Sequence, residues 1–154
     1  MLRIAHRITG DLVEAEEVRQ TVFLRLLESP SILRSPESFP TWIRRCAANA
    51  SITTVRRRRR QARMAVWLTR VGWRVLPNEP AVVAAEADER ERLACALAQL
   101  GPHDRAMLAL RFEEGLTLKE LADTLGKPAS SVKSQLYRAT QRLRRLLVDK
   151  HGDD

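Results

Sequence analysis

The chain has 154 residues, 44% of them hydrophobic, with a formal net charge of +8 at pH 7. This length suits one modest domain or two small ones with real cores, which argues against a disordered chain. The positive charge implies an acidic partner, with nucleic acid as the first candidate and an anionic membrane surface as the second. No apolar run approaches the roughly 20 residues of a membrane span, so membrane insertion is not expected.

The N-terminal residues and the cysteines both favour a cytoplasmic location. Residues 1–17 lack the continuous apolar core of a signal peptide and turn acidic early. Cys46 and Cys95 form no C-x-x-C or metal-ligand spacing, so neither a metal site nor a disulfide framework is expected. We interpret both cysteines as packing residues in a reducing compartment.

Apolar residues recur at helical spacing along the chain, and no segment alternates at the two-residue period of a strand. The pattern predicts an all-α fold with helices at about 2–9, 12–28, 37–62, 86–99, 103–113, 118–125 and 130–148. Residues 77–92 open with two prolines and then carry five acids against two arginines, which indicates a boundary. We therefore predict two small helical domains, 1–62 and 93–150, joined by a linker over 63–92.

The first block is acidic. Residues 11–37 hold six acids against three arginines. In the predicted helix 12–28, the apolar spacing predicts that one side is buried, formed by Ala15, Val18, Val22, Phe23 and Leu26. The opposite surface is acidic and poor for DNA, and by itself it is explained by a solvated helix face.

The second block is basic. Residues 42–76 hold ten arginines and no acid, with the run Arg56–Arg60 at its centre. Phe39 and Trp42 precede this run at helical spacing. Such a segment is either core with solvated arginines, or a stacking platform beside an electrostatic track for single-stranded nucleic acid.

Residues 117–147 have the pattern of a helix-turn-helix. Thr117 and Glu120 fit a capping box at the start of the first helix, Gly126 fits its end, and Ser130 or Ser131 can cap the second helix. The second helix is predicted to bury one arc, composed of Val132, Leu136, Ala139, Leu143, Leu146 and Leu147. The opposite arc is basic, and no acid occurs from Lys127 to Leu147. An ordinary hairpin with a solvated face is the alternative, but the caps and the absence of acids favour DNA.

In order and spacing, three segments resemble the extracytoplasmic-function sigma factors of bacterial transcription. AEEVRQTVFLRL (residues 15–26) is similar to the family's region 2.2, and FPTWIRRCAANASITTVRRRRR (residues 39–60) is similar to regions 2.3 and 2.4. The segment from residue 96 to residue 147 is similar to region 4. The resemblance implies recruitment of core RNA polymerase to promoter DNA and help in opening it. Family habit also implies an anti-sigma factor as a partner.

The resemblance assigns roles to three groups of residues. The acidic helix would dock on the polymerase through Glu16, Glu17 and Gln20. Flipped bases of the minus-10 element would be captured by Trp42, Asn49 and Thr53, and the DNA backbone held by Arg56 and Arg57. The minus-35 element would be contacted by Lys133, Ser134, Tyr137 and Arg138.

The sequence departs from the family pattern in three places. It begins in what resembles the middle of region 2.1, so either the true start lies upstream or this domain is trimmed. A missing first helix would expose apolar sides of the other helices, and we would then expect weakened stability and weakened polymerase binding. Thr53 stands where many members have Asp, so a minus-10 preference is not carried over. Residues 64–76 are unusually apolar for a linker and are interpreted as a helix covering the first domain or as a surface for a partner.

Two other functions compete with a sigma factor. A stand-alone helix-turn-helix regulator would use the first block for dimerisation or ligand sensing. An RNA-binding protein would use Arg56–Arg60 as an arm, but it leaves the acidic helix unexplained. An enzyme is not expected, because the three histidines are scattered and no glycine-rich phosphate loop or cofactor motif is present.

Overall fold

The computed structural model describes residues 1–70 and 89–148, and these residues form helices and turns without a strand. The helices are α1 (Leu2–Thr9), α2 (Leu12–Glu28), α3 (Phe39–Arg70), α4 (Glu89–Gln99), α5 (Pro102–Leu108), α6 (Leu118–Leu125) and α7 (Ala129–Val148). A 3₁₀ turn (Pro30–Arg34) precedes α3, and a π-helical segment (Ala109–Glu113) follows α5. The all-α prediction is confirmed. None of the described helices has both the length and the apolarity that crossing a bilayer requires.

Local capping places the helix boundaries close to their predicted positions. The Asp11 side chain accepts a hydrogen bond from the Glu14 amide at 2.8 Å and so caps α2. At α6, the capping box between Thr117 and Glu120 is complete. Gly126 adopts φ 63°, the left-handed conformation that ends α6 at little steric cost.

The second helix of the helix-turn-helix begins slightly earlier than expected. Since α7 starts at Ala129, Ser130 and Ser131 lie inside its first turn, and the prediction that one of them precedes the helix as its cap is wrong. The Pro128 carbonyl accepts from the Val132 amide at 3.0 Å, which closes that turn. Proline fixes φ near the helical value, so a proline directly before the start of α7 is tolerated better than one in a helix interior.

The largest difference from prediction is the length of α3. The helix was predicted to end near residue 62 but continues to Arg70, into the predicted linker. The added residues include Ala, Arg, Met and Leu, which are strong helix formers, and no Gly or Pro interrupts them. The apolar residues 71–76 and the predicted helix start at 86–88 lie outside the described residues.

One hydrophobic core runs through both predicted domains. Ile8 of α1, Val18 of α2 and Ala47 of α3 belong to the same buried cluster as Leu110 and Leu121 from the C-terminal half. A smaller cluster of Leu97, Leu100, Leu108, Leu136, Ala139, Leu143 and Leu146 fixes α7 on α4 and α5. The two halves are therefore packed against each other.

Phe23 is a second correction. It was predicted to lie on the buried side of α2 but is 52% exposed, while Ala15, Val18 and Val22 are buried as predicted. At about 100° per residue, Phe23 stands roughly 100° from Val22 on the helix circumference, which turns its ring away from the core. Phe23 therefore belongs to the solvent-exposed outer face of α2.

Candidate nucleic-acid interfaces and an acidic helix

The outer face of α7 is open to solvent and basic. Its predicted contact residues Lys133, Ser134, Tyr137 and Arg138 are all exposed, with Tyr137 at 66%. Within the face, the Ser134 hydroxyl donates to the Ser130 carbonyl at 3.1 Å, and the Arg138 Nε approaches the Ser134 carbonyl at 3.4 Å. Both bonds lie within the helix, and among the described residues they leave the two terminal nitrogens of the Arg138 guanidinium and the Tyr137 phenol open to an outside partner.

The buried side of α7 holds this face in place. Val132 and Ala139 are fully buried, and Leu136, Leu143 and Leu146 are partly buried against the cores. The start of the helix is tied to the preceding turn by Lys127, whose Nζ donates to the Gln135 side-chain oxygen at 2.8 Å. A rigidly mounted basic helix of this kind has the dimensions and chemistry to enter a major groove.

A second basic face runs along α3, where Asn49 and Thr53 are both exposed. The Thr53 hydroxyl donates to the Asn49 carbonyl at 2.9 Å and keeps its lone pairs for a ligand. Trp42 lies about two helical turns before Asn49 on the same side. It is only partly exposed because it packs against the core and stacks on Phe39 at a centroid distance of 6.3 Å. The structure thus brings the three predicted minus-10 residues onto one side of one helix.

The arginine run divides into residues with different partners. Arg58 is structural: it pairs with Glu14 at 2.9 Å and donates to the Thr9 carbonyl at 3.1 Å. Partial burial raises the pKa of the Glu14 carboxyl, and the Arg58 charge opposes that rise. Arg57 forms a more exposed pair with Glu17 at 3.3 Å.

Arg56 and Arg59 contact the C-terminal half. Arg56 Nη2 lies 2.7 Å from His103 Nε2, and since a guanidinium only donates, the ring nitrogen accepts. Burial, and next the Arg56 charge, lower the pKa of His103, which favours the neutral ring that this contact requires. Arg59 Nη2 donates to the Leu100 carbonyl at 2.7 Å and approaches the Ala98 carbonyl at 3.3 Å.

Further contacts fix the two halves together. Arg45 of α3 donates to the backbone carbonyls of Asp123 and Thr124 at the end of α6. On the other side of the junction, Arg3 pairs with Glu114 at 3.2 Å and Arg7 with Glu113 at 3.1 Å. Exposed pairs of this kind contribute little individually, so the shared apolar core must supply most of the packing energy.

Arg105 is buried in the structure, although in the sequence it looks like an ordinary charge near the start of a helix. It is 3% exposed, and its Nε has no hydrogen-bond partner among the described residues. Burial, followed by the charges of Arg59 and Arg58, lowers its pKa to about 10, with Glu14 acting in the opposite direction. The group therefore stays charged at neutral pH inside the junction of the two halves. Nothing in its local sequence indicates this, since the burial comes from helices distant in the chain.

The exposed face of α2 combines acids with apolar residues. Glu16 is partly exposed, and Glu17 and Gln20 are exposed, so all three lie where a partner could reach them. The same side carries large exposed apolar residues, namely Leu12, Val13, Phe23, Leu24 and Leu27. An exposed apolar row mixed with acids is typical of a protein interface and unsuited to DNA. The periodicity of the sequence indicated only the acids of this face.

Comparison with known proteins matches both halves of the chain. Residues 1–61 match the family described as Sigma-70 region 2, and residues 96–145 match the family described as Sigma-70, region 4. The RNA polymerase sigma-E factor of Streptomyces coelicolor is 31% identical over 154 residues, which cover 99% of this chain and 82% of that protein. The ECF RNA polymerase sigma factor SigE of Mycolicibacterium smegmatis is 31% identical over 99% of this chain, but the chain spans only 58% of that protein.

A solved structure has the same fold. The sigma factor RpoE of Bartonella quintana, in co-crystals with the anti-sigma factor NepR, superposes with a TM-score of 0.67. The match covers 99% of this chain and 91% of that one at 19% sequence identity. At this identity the similarity supports the arrangement of helices and nothing finer.

Proposed function

Since the chain belongs to the extracytoplasmic-function RNA polymerase sigma factors, we propose that three helix faces divide the work of promoter-specific initiation. In this proposal α2 docks on core RNA polymerase, α3 takes the minus-10 element, and α7 takes the minus-35 element. As a member of this family, the chain is a transcription initiation factor rather than an enzyme. Its site of action would be the cytoplasm, where polymerase and chromosomal DNA meet.

The observation that carries the proposal is the chemical difference between these three faces. The face of α2 with Glu17 and Gln20 is acidic and apolar, whereas α3 and the outer side of α7 are basic. An acidic face repels DNA and an apolar one favours protein, so a chain that carries all three faces suits a bridge between a protein and DNA. A promoter with two elements then needs two basic faces.

For the minus-10 element, we propose that Asn49 and Thr53 hold bases extruded from the duplex and that Trp42 forms the wall of that pocket. Unstacking a base costs a few kcal/mol, which the pocket and the phosphate contacts must offset. Arg57 is available for phosphates because its pair with Glu17 is exposed and weak. Arg56 becomes available only when it leaves His103.

For the minus-35 element, Lys133 and Arg138 would pair with phosphates or guanine edges while Ser134 and Tyr137 reach other base edges. The domain limits proposed from the sequence, 1–62 and 93–150, assign one DNA element to each domain. The helical extension of α3 to Arg70 shortens the segment that can separate them. We also propose an anti-sigma factor as a regulatory partner.

The test is transcription from a promoter library by core RNA polymerase, with and without the protein. Initiation at one shared pair of sequence elements, only when the protein is present, would support the proposal. Failure to initiate, together with binding of the free protein to paired half-sites, would instead fit a stand-alone regulator.

The docking face is tested separately by the affinity of Glu17→Lys for core polymerase without DNA. We expect at least a tenfold weakening, because an acid at a protein interface becomes a like charge for its partner. Glu37→Lys is the matched control, since it makes the same charge change at an exposed site outside α2. Arg57→Ala removes the Glu17 pair without touching the acid, so it should not weaken polymerase affinity.

A further inference from the structure

The end of α3 presents an apolar and basic surface that the proposed function does not use. Between Arg56 and Trp67, no residue of α3 is buried, so Val55 is the last buried residue of this part of the helix. Beyond it, Arg60, Arg63, Met64 and Trp67 line an open groove of about 420 Å³. Met64 is 53% exposed and Trp67 is 58% exposed. The exposed side chains of Met64, Val66 and Trp67 therefore do not pack into the first domain.

This groove lies on the same side of α3 as the proposed minus-10 face. Trp67 follows Asn49 by 18 residues, which is five full turns at 3.6 residues per turn. At about 100° per residue, Arg60 and Arg63 fall within roughly 40° of the same direction. The exposed side that begins at Asn49 and Thr53 thus continues to Trp67, with Arg56 and its contact to His103 between them.

The charge of the groove is not compensated within the described part of the chain. Residues 39–70 contain no Asp or Glu. Arg57 and Arg58 pair with acids of α2, but no described carboxylate pairs with Arg60 or Arg63. Two guanidiniums without an acidic partner among the described residues, beside an exposed indole, complement a polyanion with an apolar component, and the sugar-phosphate backbone has both properties.

We infer that Arg60, Arg63, Met64 and Trp67 bind the backbone of duplex DNA just upstream of the minus-10 element. The guanidiniums pair with phosphates, while Trp67 and Met64 pack on deoxyribose. This inference rests on the proposed function, because it extends the minus-10 face. Duplex is favoured over single strands because, among the described residues, Trp67 alone lines the groove with an aromatic ring, whereas single strands stack on successive aromatics.

The length of α3 sets the position of this contact. Asn49 and Trp67 are about 27 Å apart at 1.5 Å per residue, which corresponds to about eight base pairs at 3.4 Å each. The C-terminal end of α3 leads along the chain to the domain proposed for the minus-35 element. The groove therefore faces the spacer between the two elements, and its contacts carry no base preference.

The experiment measures binding of holoenzyme, assembled from core polymerase and the full chain, to two promoter templates. One template is complete, and the other ends at the upstream edge of the minus-10 element. The variants are Arg60→Ala with Arg63→Ala, and Trp67→Ala with Trp67→Phe as its conservative partner. The double variant Arg34→Ala with Arg92→Ala is the control, because it removes two exposed arginines that lie on neither α2 nor α3.

On the complete template we expect the Arg60 and Arg63 double variant to bind at least tenfold more weakly. Its slope of log affinity against log salt should fall by about 2, since each phosphate contact contributes about 0.9. Trp67→Ala should weaken binding and Trp67→Phe should restore most of it. On the shortened template, all variants should match the unsubstituted protein.

Three results would overturn the inference. Equal binding of variants and unsubstituted protein to the complete template would show that the groove touches no DNA. Equal losses on both templates would place these residues at the minus-10 element itself. A loss of affinity for core polymerase without DNA would identify a protein partner. If the proposed function were wrong, the unsubstituted holoenzyme itself would not select promoters, which distinguishes the two failures.

Discussion

The two basic helices of this chain, α3 and α7, differ in how much of their charge is already engaged. On α7, the side chains of Lys133, Tyr137 and Arg138 are exposed, and the Arg138 Nε bonds to the Ser134 carbonyl of the same helix. On α3, Arg56 is held by His103 and Arg59 by two carbonyl groups of the C-terminal half. One face is therefore ready for DNA, while DNA at the other must compete with contacts inside the molecule.

This difference indicates an order of events on a promoter. A helix-turn-helix that is rigid and unobstructed can bind duplex DNA without rearrangement. In the proposed function, the minus-10 face would give up the Arg56 contact and also meet the cost of extruding a base. Polymerase docking on α2 would be linked to this step, because Glu17 of the proposed docking face pairs with Arg57 of the proposed DNA face.

The largest expected effect comes from substitutions on the exposed basic face of α7. Tyr137→Ala with Arg138→Ala should weaken holoenzyme binding to a promoter at least a hundredfold, since each base contact contributes about 1–3 kcal/mol. Scrambling the minus-35 sequence should cause no further loss in this variant. Thr140→Ala is the control on the same helix, because Thr140 is exposed and its hydroxyl bonds only the Leu136 carbonyl. A variant that still discriminates the scrambled template would contradict the assignment of this face.

The sequence was sufficient where structure is determined locally. The capping box at Thr117 and Glu120, the end of α6 at Gly126 and the buried arc of α7 all depend on residues within a few turns of each other. Those features also position the candidate minus-35 residues, so the location of that face could be predicted.

The sequence was insufficient where position depends on distant contacts. Arg59 and Arg105 look like their neighbours in the sequence, but one binds carbonyl groups about 40 residues away and the other is buried between helices. Phe23 illustrates the opposite case, because it was predicted to be buried but stands about 100° from Val22, on a side of α2 that the described residues leave exposed. Helical periodicity specifies which residues share a side, whereas the tertiary fold specifies which side is covered.

A second prediction concerns Arg105, whose buried charge lies between α5 and the N-terminal helices. Arg105→Met should raise the free energy of unfolding by about 1–3 kcal/mol, because a methionine of similar volume removes a charge that lacks full compensation. Chemical denaturation measures this change. Arg105→Ala should instead lower stability, since it leaves a cavity. A loss of stability in the methionine variant would show that the guanidinium makes a net favourable contribution.

Arg59 provides a smaller and more local effect. Arg59→Ala should lower the free energy of unfolding by about 1–2 kcal/mol, because the carbonyl of Leu100 and that of Ala98 lose a charged donor at the end of α4. Hydrogen exchange of the amides in residues 97–100 should become faster. Arg60→Ala is the neighbouring control and should change neither quantity, since Arg60 is exposed and unpaired with any described acid.

The smallest effect is a pH dependence at the contact between Arg56 and His103. The folded pKa of His103 lies below its ordinary 6.5, so folding favours the neutral ring and this contribution is complete above pH 6.5. It is lost as the pH falls from 6.5 through the folded pKa, because a protonated ring cannot accept from Arg56. Lys127 also faces the ring and adds to the repulsion, while Asp104 opposes it.

Because His103 is partly exposed, we expect this loss of stability to stay below about 1 kcal/mol. His103→Gln keeps a hydrogen-bond acceptor but does not titrate, so its unfolding free energy should vary less between pH 7 and pH 5 than that of the unsubstituted protein. Binding of duplex to α7 should show no such difference between the two proteins, since His103 contacts α3. An identical pH dependence in the two proteins would show that His103 does not hold the minus-10 face. The internal contacts that compete with DNA would then be those of Arg59 and Arg45.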